Sequence, residues 1–464
     1  MTPARRAVRC PRPGALLPLT FAAAVSCDGP VEPPDPRPSV SEVRIEEEAG
    51  PIFRTLHVRT DRETALEVEY RAEGATPLRV RSDGATDHRI FLSRLRPRTT
   101  YDYRISLEGE GPRGELWTGR FTTGALPSAL DGMAFTAAGT PTTPLVLLVI
   151  SRAEGFNGYV AVDADGEVVW YREVVGASGI TRRANGNFVH IQDRGLVEVP
   201  PRGEVVAELL TDSIARRFHH DVIPTPRNTL LAIATDTQTV RGRRITGKSI
   251  WEWTPESGQA QKRWSSFDFL DPDSDRGILF GERNWMHANS LFLGPRGNVL
   301  LSSNYLNQVM SIAPDFGSLE WRLSGPNSTI QVPDSERFSG QHTAAEVAPG
   351  RILLFDNRRE QGGYSRAVEF ELGDAEATRV WEWRPERTNF SFAVSSARRL
   401  PGGTTLVTFG LAAGVAGSTG PTEVYEVTRE GEVLWHLEVE GISVLYRGEP
   451  LADIAGEAAA AGSG

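Results

Sequence analysis

From about residue 140 onward the chain alternates two short strand-and-turn elements, and this repetition constrains its fold more than any other feature. The first element is an apolar strand, a turn with Gly or acid, and a strand that ends near Trp. It occurs as VAVDADGEVVWYRE, LVEVPPRGEVVAEL, IWEWTPESGQAQKRW, VMSIAPDFGSLEWRL, VEFELGDAEATRVWEW and VYEVTREGEVLWHLEV. The second leads through a Gly or Asn turn into a buried strand. It reads ITRRANGNFVHIQD, HDVIPTPRNTLLAIATD, HANSLFLGPRGNVLLSSN, HTAAEVAPGRILLFDN and SARRLPGGTTLVTFG, with PLVLLVIS as a degenerate first copy. Six such pairs give roughly fifty residues per unit, the scale of a propeller blade. Neither element can bury both of its faces alone, so radial stacking must supply the core. An all-β chain is expected, with a six-bladed β-propeller over residues 126–450 and Trp residues as anchors between blades.

Residues 39–125 follow a different pattern. LHVRT and LEVEYRA alternate with period two, the mark of half-buried strands. LRPRTTYDYRISLEGEGPRGELWTGRFTT holds a turn, a strand with Tyr101 and Tyr103, a Gly-rich hairpin and a closing strand. Its Leu-x-Pro-x-Thr-x-Tyr pattern resembles fibronectin type III domains. A seven-strand, immunoglobulin-like β-sandwich is therefore expected here. His57 and His88 read as ordinary surface or core residues.

The amino terminus reads as an export address. Arg5, Arg6, Arg9 and Arg12 precede ALLPLTFAAAV, an apolar run too short to span a bilayer. The run closes on A-V-S-C, which resembles a bacterial lipobox. Residues 1–26 are expected to be a signal peptide, Cys27 the lipidated first residue, and 27–38 a Pro-rich linker. These features imply an exported lipoprotein, periplasmic or at the cell surface of a bacterium. Net charge is −10, and −14 once the signal is removed, which disfavours nucleic acid as a partner. Cys10 leaves with the signal, so no disulfide is expected. Residues 451–464, rich in Ala and Gly, read as a flexible tail.

Few His remain, and their placement is informative. His220, His287 and His342 fall at one equivalent position on three successive second elements, next to each unit's first strand. Three imidazoles are thereby directed at one end of a central channel. His219 adjoins His220, and either ring can face the channel. His190, inside a strand, and His436, after a Trp, read as packing or surface residues.

The succession H-H-D, N-W-M-H-A-N-S, L-S-S-N, W-R-L-S-G, Q-H-T-A and L-L-F-D-N resembles the bacterial arylsulfate sulfotransferase family over about residues 140–450. Tyr364, Ser365 and Arg366 match a further segment of that family. The resemblance implies a six-bladed propeller that moves a sulfuryl group from a phenolic sulfate ester to a phenolic acceptor, with no nucleotide sulfate donor and no cofactor or metal. It implies that His342 is transiently sulfated, with His220 and His287 in support. It implies substrate contacts from His219, Asn289, Asn304, Asn357 and Arg366. The family's Arg after the Ser-Ser pair is Asn304 here, and Asn offers no charge. Arg283, Arg358 and Arg366 are the candidates to replace it.

The chemistry agrees with this residue set. Sulfuryl transfer is in-line and loose, by analogy with phosphoryl transfer, and neutral imidazole is both nucleophile and leaving group. The other two His, protonated or as donors, hold sulfuryl oxygens and protonate the departing phenolate. Two other readings stay open. Three converging His, or Asp221, Asn289, Asp356 and Asn357, also suit a metal-dependent hydrolase. A non-catalytic lipoprotein with a ligand- or partner-binding propeller is the other.

Overall fold

The computed structural model describes residues 37–459, apart from 194, 211–216, 278–280 and 282. The expected signal peptide, Cys27 and most of the linker lie outside the described residues. The described chain is 54% strand with no α-helix, so its core is sheet packed on sheet. No described helix is long and apolar enough to cross a membrane.

The amino-terminal sheet holds β1 (Val40–Glu47), β2 (Arg54–Ala72), β3 (Leu78–Leu92), β4 (Thr100–Leu107) and β5 (Glu115–Thr122). Its order is β3-β2-β4-β5, with β1 also on β2. Five strands stand where seven were expected, because β2 does the work of two. Its pairing with β3 slips register between Arg59 and Leu66; the first half pairs with β1 and the second with β4. Alternation in β2 and β4 buries Leu56, Val68, Tyr70, Tyr101 and Ile105 on one face. The Tyr70 hydroxyl donates to the Ser93 carbonyl at 2.9 Å, and the Tyr101 hydroxyl accepts from the Arg96 amide at 2.8 Å.

Next come β6 (Ala134–Gly139) and β7–β9 (Leu145–Ser151, Asn157–Val162, Val168–Glu173). Then follow β10–β13 (Ile180–Arg182, Phe188–Gln192, Gly195–Val199, Ala207–Leu209) and β14–β17 (Phe218–Pro224, Leu230–Val240, Arg243–Thr254, Gln259–Ser265). After them run β18–β21 (Ala288–Leu293, Val299–Ser303, Gln308–Ile312, Leu319–Leu323) and β22–β25 (His342–Ala348, Arg351–Asp356, Arg366–Leu372, Ala377–Trp383). The series ends with β26–β29 (Ser396–Arg399, Thr405–Phe409, Thr422–Val427, Val433–Glu440) and β30 (Val444–Leu451).

Five of these groups of four form antiparallel, propeller-like sheets in chain order, with β6 added outside β29. The sixth sheet is discontinuous: β30 supplies the first strand for β7–β9. This explains the degenerate first repeat, whose leading strand stands at the other end of the sequence. Elsewhere the second repeat element supplies a sheet's first two strands and the first element its last two. Each sheet packs on the next through buried aliphatic and aromatic side chains, and a cluster with Leu147, Trp170, Phe188 and Val197 joins the discontinuous sheet to β10–β13.

The Trp residues act as anchors. Trp170, Trp253, Trp264, Trp285 and Trp435 are fully buried. Indole Nε1 of Trp170 donates to the Pro201 carbonyl, and that of Trp435 to the Ala164 carbonyl, each at 2.8 Å. Both acceptors sit on turns of the adjacent sheet. Each bond satisfies the polar handle of a large apolar side chain.

The end of the chain corrects one expectation: residues 451–459 are not a loose tail. Ile454 is fully buried among the side chains that join β7–β9 to β10–β13. The Glu457 carboxylate accepts the Ile454 and Ala455 amides and the Ser93 hydroxyl, each at 2.7 Å. A short strand β31 (Ala458–Ala459) then pairs with β3. One apolar anchor and one capping carboxylate order a segment whose composition looks featureless.

Candidate active site

The first strands of three consecutive sheets are irregular at the same level. Pairing shifts register between Phe218 and Val222, between Ala288 and Ser290, and between His342 and Ala345. His220 and Thr343, inside two of these irregularities, and His287, one residue before β18, adopt left-handed backbone, with φ of 64°, 53° and 44°. Such conformations cost about 1 kcal/mol or more for each non-Gly residue and collect at functional sites. A bulge re-aims side chains out of the regular alternation. Two of the three residues here, His220 and His287, carry imidazoles, and Thr343 follows a third, His342.

His220 meets His287 edge to face, with ring centroids 4.8 Å apart. His287 stacks on Tyr305 at 4.7 Å, and its Nδ1 lies 2.6 Å from Nδ2 of Asn284. His342 interacts electrostatically with both His220 and His287. Of the adjacent pair, the His220 ring meets His287 and Tyr446, whereas His219 lies against Lys248.

The tautomer of His342 follows from its neighbour. Asn357 gives both amide protons away, to the carbonyls of Ser391 at 2.7 Å and Val394 at 3.2 Å. Its Oδ1 therefore faces the ring and accepts from Nδ1 of His342 at 2.8 Å. Nε2 of His342 keeps its lone pair.

All the rings of the site are neutral near pH 7. Burial, then the charges of Arg359 and Arg447, push His342 down to about 3, against the opposing Asn357 bond. Burial, then the Lys248 and Arg359 charges, take His287 to about 3. Burial also holds His219 and His220 well below the usual imidazole range. The supporting rings are thus neutral donors rather than imidazolium ions. A pH prediction follows. A ring kept neutral by folding lends its full stability above its unfolded pKa of about 6.5 and loses about 1.4 kcal/mol per pH unit below it, down to the folded value. Melting temperature is expected to fall steadily from pH 6.5 to pH 5. An unchanged melting temperature over that interval would mean the rings titrate as if exposed.

The remaining predicted residues divide. Asn304 is buried; its Nδ2 donates to the Gly340 carbonyl at 2.7 Å, while its Oδ1 accepts from Nη1 of Arg359 at 2.7 Å. Asn289 is buried and donates to the Gln341 carbonyl at 2.7 Å, bracing the residue before His342. Arg366 is not brought to the imidazoles. Its guanidinium is committed to Asp356 at 3.0 Å, Glu382 at 2.8 Å and the Glu336 carbonyl. Arg358 lies over the Tyr364 ring, and Arg283 is exposed. The groups whose ligand atoms lie close enough for a metal, Glu46/Glu48/His57 and Glu423/His436/Glu438, are elsewhere among the described residues. His190 and His436 do stay outside the site, on Arg172 and Glu423.

Four residues were missed. Arg359, on the loop between β23 and β24, sits over Phe392 and Tyr305 and carries the guanidinium charge felt by both His287 and His342. Arg447 on β30 donates to Asp221 at 2.9 Å and to the His220 carbonyl at 3.1 Å, which fixes the backbone beneath that ring. Tyr446 and Lys248 complete the set. Lys248 carried a signal in the sequence: it is one of only two lysines among 50 Lys and Arg.

Propeller-like sheets whose first strands bring buried, neutral imidazoles beside a guanidinium make up the candidate site. The chain belongs to the arylsulfotransferase (ASST) family, whose model matches residues 136–447, and a sulfotransferase-type function goes with that membership. No curated protein matches the chain. Among solved structures, one similar chain is a protein of unknown function from Bacteroides caccae, at 15% identity and TM-score 0.46, covering 67% of this chain and all of that one. A virginiamycin B lyase from Staphylococcus aureus is similar at 9% identity and TM-score 0.36, covering 66% of this chain and 99% of that one. An aldose sugar dehydrogenase from Streptomyces coelicolor is similar at 10% identity and TM-score 0.32, covering 66% and 99%.

Proposed function

We propose that this protein transfers a sulfuryl group from an aryl sulfate ester to a phenol through a sulfohistidine on His342, in a six-bladed β-propeller carried on a fibronectin-like sandwich. The observation that carries this reading is the Asn357–His342 bond, which leaves Nε2 as an unprotonated, buried nucleophile. In the first half-reaction Nε2 attacks sulfur in line, the N–S bond forms, and the S–O bond to the phenol breaks. In the second, the acceptor oxygen attacks sulfur and His342 leaves as neutral imidazole. The signal-like amino terminus and its lipobox-like Cys27 support an exported lipoprotein as the setting of this chemistry.

Arg359 takes the part that Asn304 cannot. Its guanidinium forks toward the sulfuryl oxygens, with Asn304 holding one nitrogen and two aromatic rings holding its plane. Arg359→Ala is expected to lower kcat/KM for nitrophenyl sulfate by about 10²–10³-fold, the range for losing one transition-state donor. Asn304→Arg in that background is expected to recover part of the loss. Wild-type kinetics in Arg359→Ala would remove the residue from the site.

The test of the function is direct. Donor alone should add about 80 Da, the mass of SO₃, to His342. Subsequent phenol should discharge the adduct and yield the aryl sulfate. No adduct and no transfer from any aryl sulfate would overturn the reading.

A further inference from the structure

We propose that Lys248 is the proton store of the transfer reaction: it supplies a proton to the departing phenolate through His219 and His220 and recovers one from the acceptor phenol. This rests on the transferase reading above.

The chain's choice of cation is the first observation. Lys248 and Lys262 are its only lysines, and buried ion pairs elsewhere, at Arg183, Arg366 and Arg447, all use Arg. Arginine does not give up its proton in a protein, whereas a buried Lys does. Lys262 lies half-exposed near Asp236. Lys248, on β16, is 5% exposed, and among the described residues no carboxylate lies within salt-bridge distance of its Nζ. Its side-chain partner is Nε2 of His219, at 3.2 Å.

The second observation is a directed chain of hydrogen bonds. An ammonium group only donates, so Nε2 of His219 accepts. The proton of His219 then resides on Nδ1, which lies 2.6 Å from Nδ1 of His220. That nitrogen accepts, and His220 carries its proton on Nε2. The His220 ring is the one that meets His287 at 4.8 Å. Lys248 thus sets which nitrogen of His220 offers a proton to the reacting group. Facing it are His219 and His220 from β14 and His287 at the start of β18, while Asp236 on β15 is bonded to the Ser265 hydroxyl. Burial brings Lys248 down to about 8, below the phenol range of about 10, so passing its proton to a phenolate runs downhill.

The protons balance over the cycle. As the S–O bond breaks and the N–S bond forms on His342, the phenolate oxygen takes the Nε2 proton of His220. The Nδ1 proton of His219 passes to Nδ1 of His220, and the ammonium proton of Lys248 passes to Nε2 of His219. Both rings end neutral in their other tautomers, and Lys248 ends as an amine. The acceptor phenol then gives its proton to Nε2 of His220, and the chain runs backwards as its oxygen attacks sulfur.

The experiment compares leaving groups. Nitrophenolate departs without a proton; unsubstituted phenolate needs one. Lys248→Met and Lys248→Gln are assayed with nitrophenyl sulfate and with phenyl sulfate as donors, and adduct formation at His342 is followed by mass. Gln still donates a hydrogen bond to His219 but cannot release a proton. In the donor half-reaction, before acceptor is added, both variants are expected to form the adduct about 10²-fold more slowly from phenyl sulfate and within a few-fold of the wild-type rate from nitrophenyl sulfate. Equal losses with both donors, or Lys248→Gln at the wild-type rate with phenyl sulfate, overturn the proton store and leave the transferase reading standing. A wild-type protein that transfers from neither donor overturns both.

Discussion

Replacing His342 by Ala is expected to reduce transfer from nitrophenyl sulfate to phenol by on the order of 10⁴-fold or more, because the covalent route closes entirely. The remaining donors would still bind the ester, so KM should move far less than kcat. Asn357→Ala gives the graded counterpart. Without Oδ1 to hold Nδ1–H, the ring is free to place its proton on Nε2, and the rate should fall with the nucleophile still present. Stopped-flow release of nitrophenol separates the two. Wild type and Asn357→Ala should show a first turnover, and His342→Ala should show none. A burst of normal amplitude in His342→Ala would move the nucleophile to another ring.

Loss of Asp221 is expected to destabilise the fold by roughly 3–5 kcal/mol, the range for breaking a buried ion pair. Asp221 and Arg447 are both nearly inaccessible and bond at 2.9 Å, and Asp221 also accepts the Leu291 amide at 2.9 Å. One carboxylate therefore joins the first strands of three sheets, β14, β18 and β30. Asp221→Ala leaves the Leu291 amide without its acceptor and Arg447 with only the more distant Glu449 carboxylate, at 3.5 Å, while Asp221→Asn retains an acceptor for the amide. The urea midpoint should fall in both and further in Ala. A midpoint unchanged in Asp221→Ala would mean that Arg447 finds another partner at no cost. Activity should fall as well, since Arg447 also holds the His220 carbonyl.

What could be read in the residues depended on how local the signal was. The repeat was legible because each element is contiguous, so that strand, turn and Trp recur together. The imidazoles of His220, His287 and His342 were legible because three of them share one register. Lys248 and Arg359 were not. Lys248 gains its meaning 29 residues away at His219, and Arg359 gains its own 55 residues away at Asn304. Apart from the rarity of lysine in this chain, nothing near either one marks it as more than another cation. Arg366 misled for the complementary reason. It matched a family segment, but Asp356 and Glu382 had already claimed its guanidinium. In the same way Ile454 and Glu457 hold down an end whose Ala and Gly content suggests none of their anchoring.

The strand that completes the discontinuous sheet enters from Val444–Leu451, roughly three hundred residues after its partner β7. It also brings Tyr446 and Arg447 to the imidazoles. A molecule truncated before Val444 would therefore lose two things at once: the strand that flanks β7 and the guanidinium that holds the backbone beneath His220.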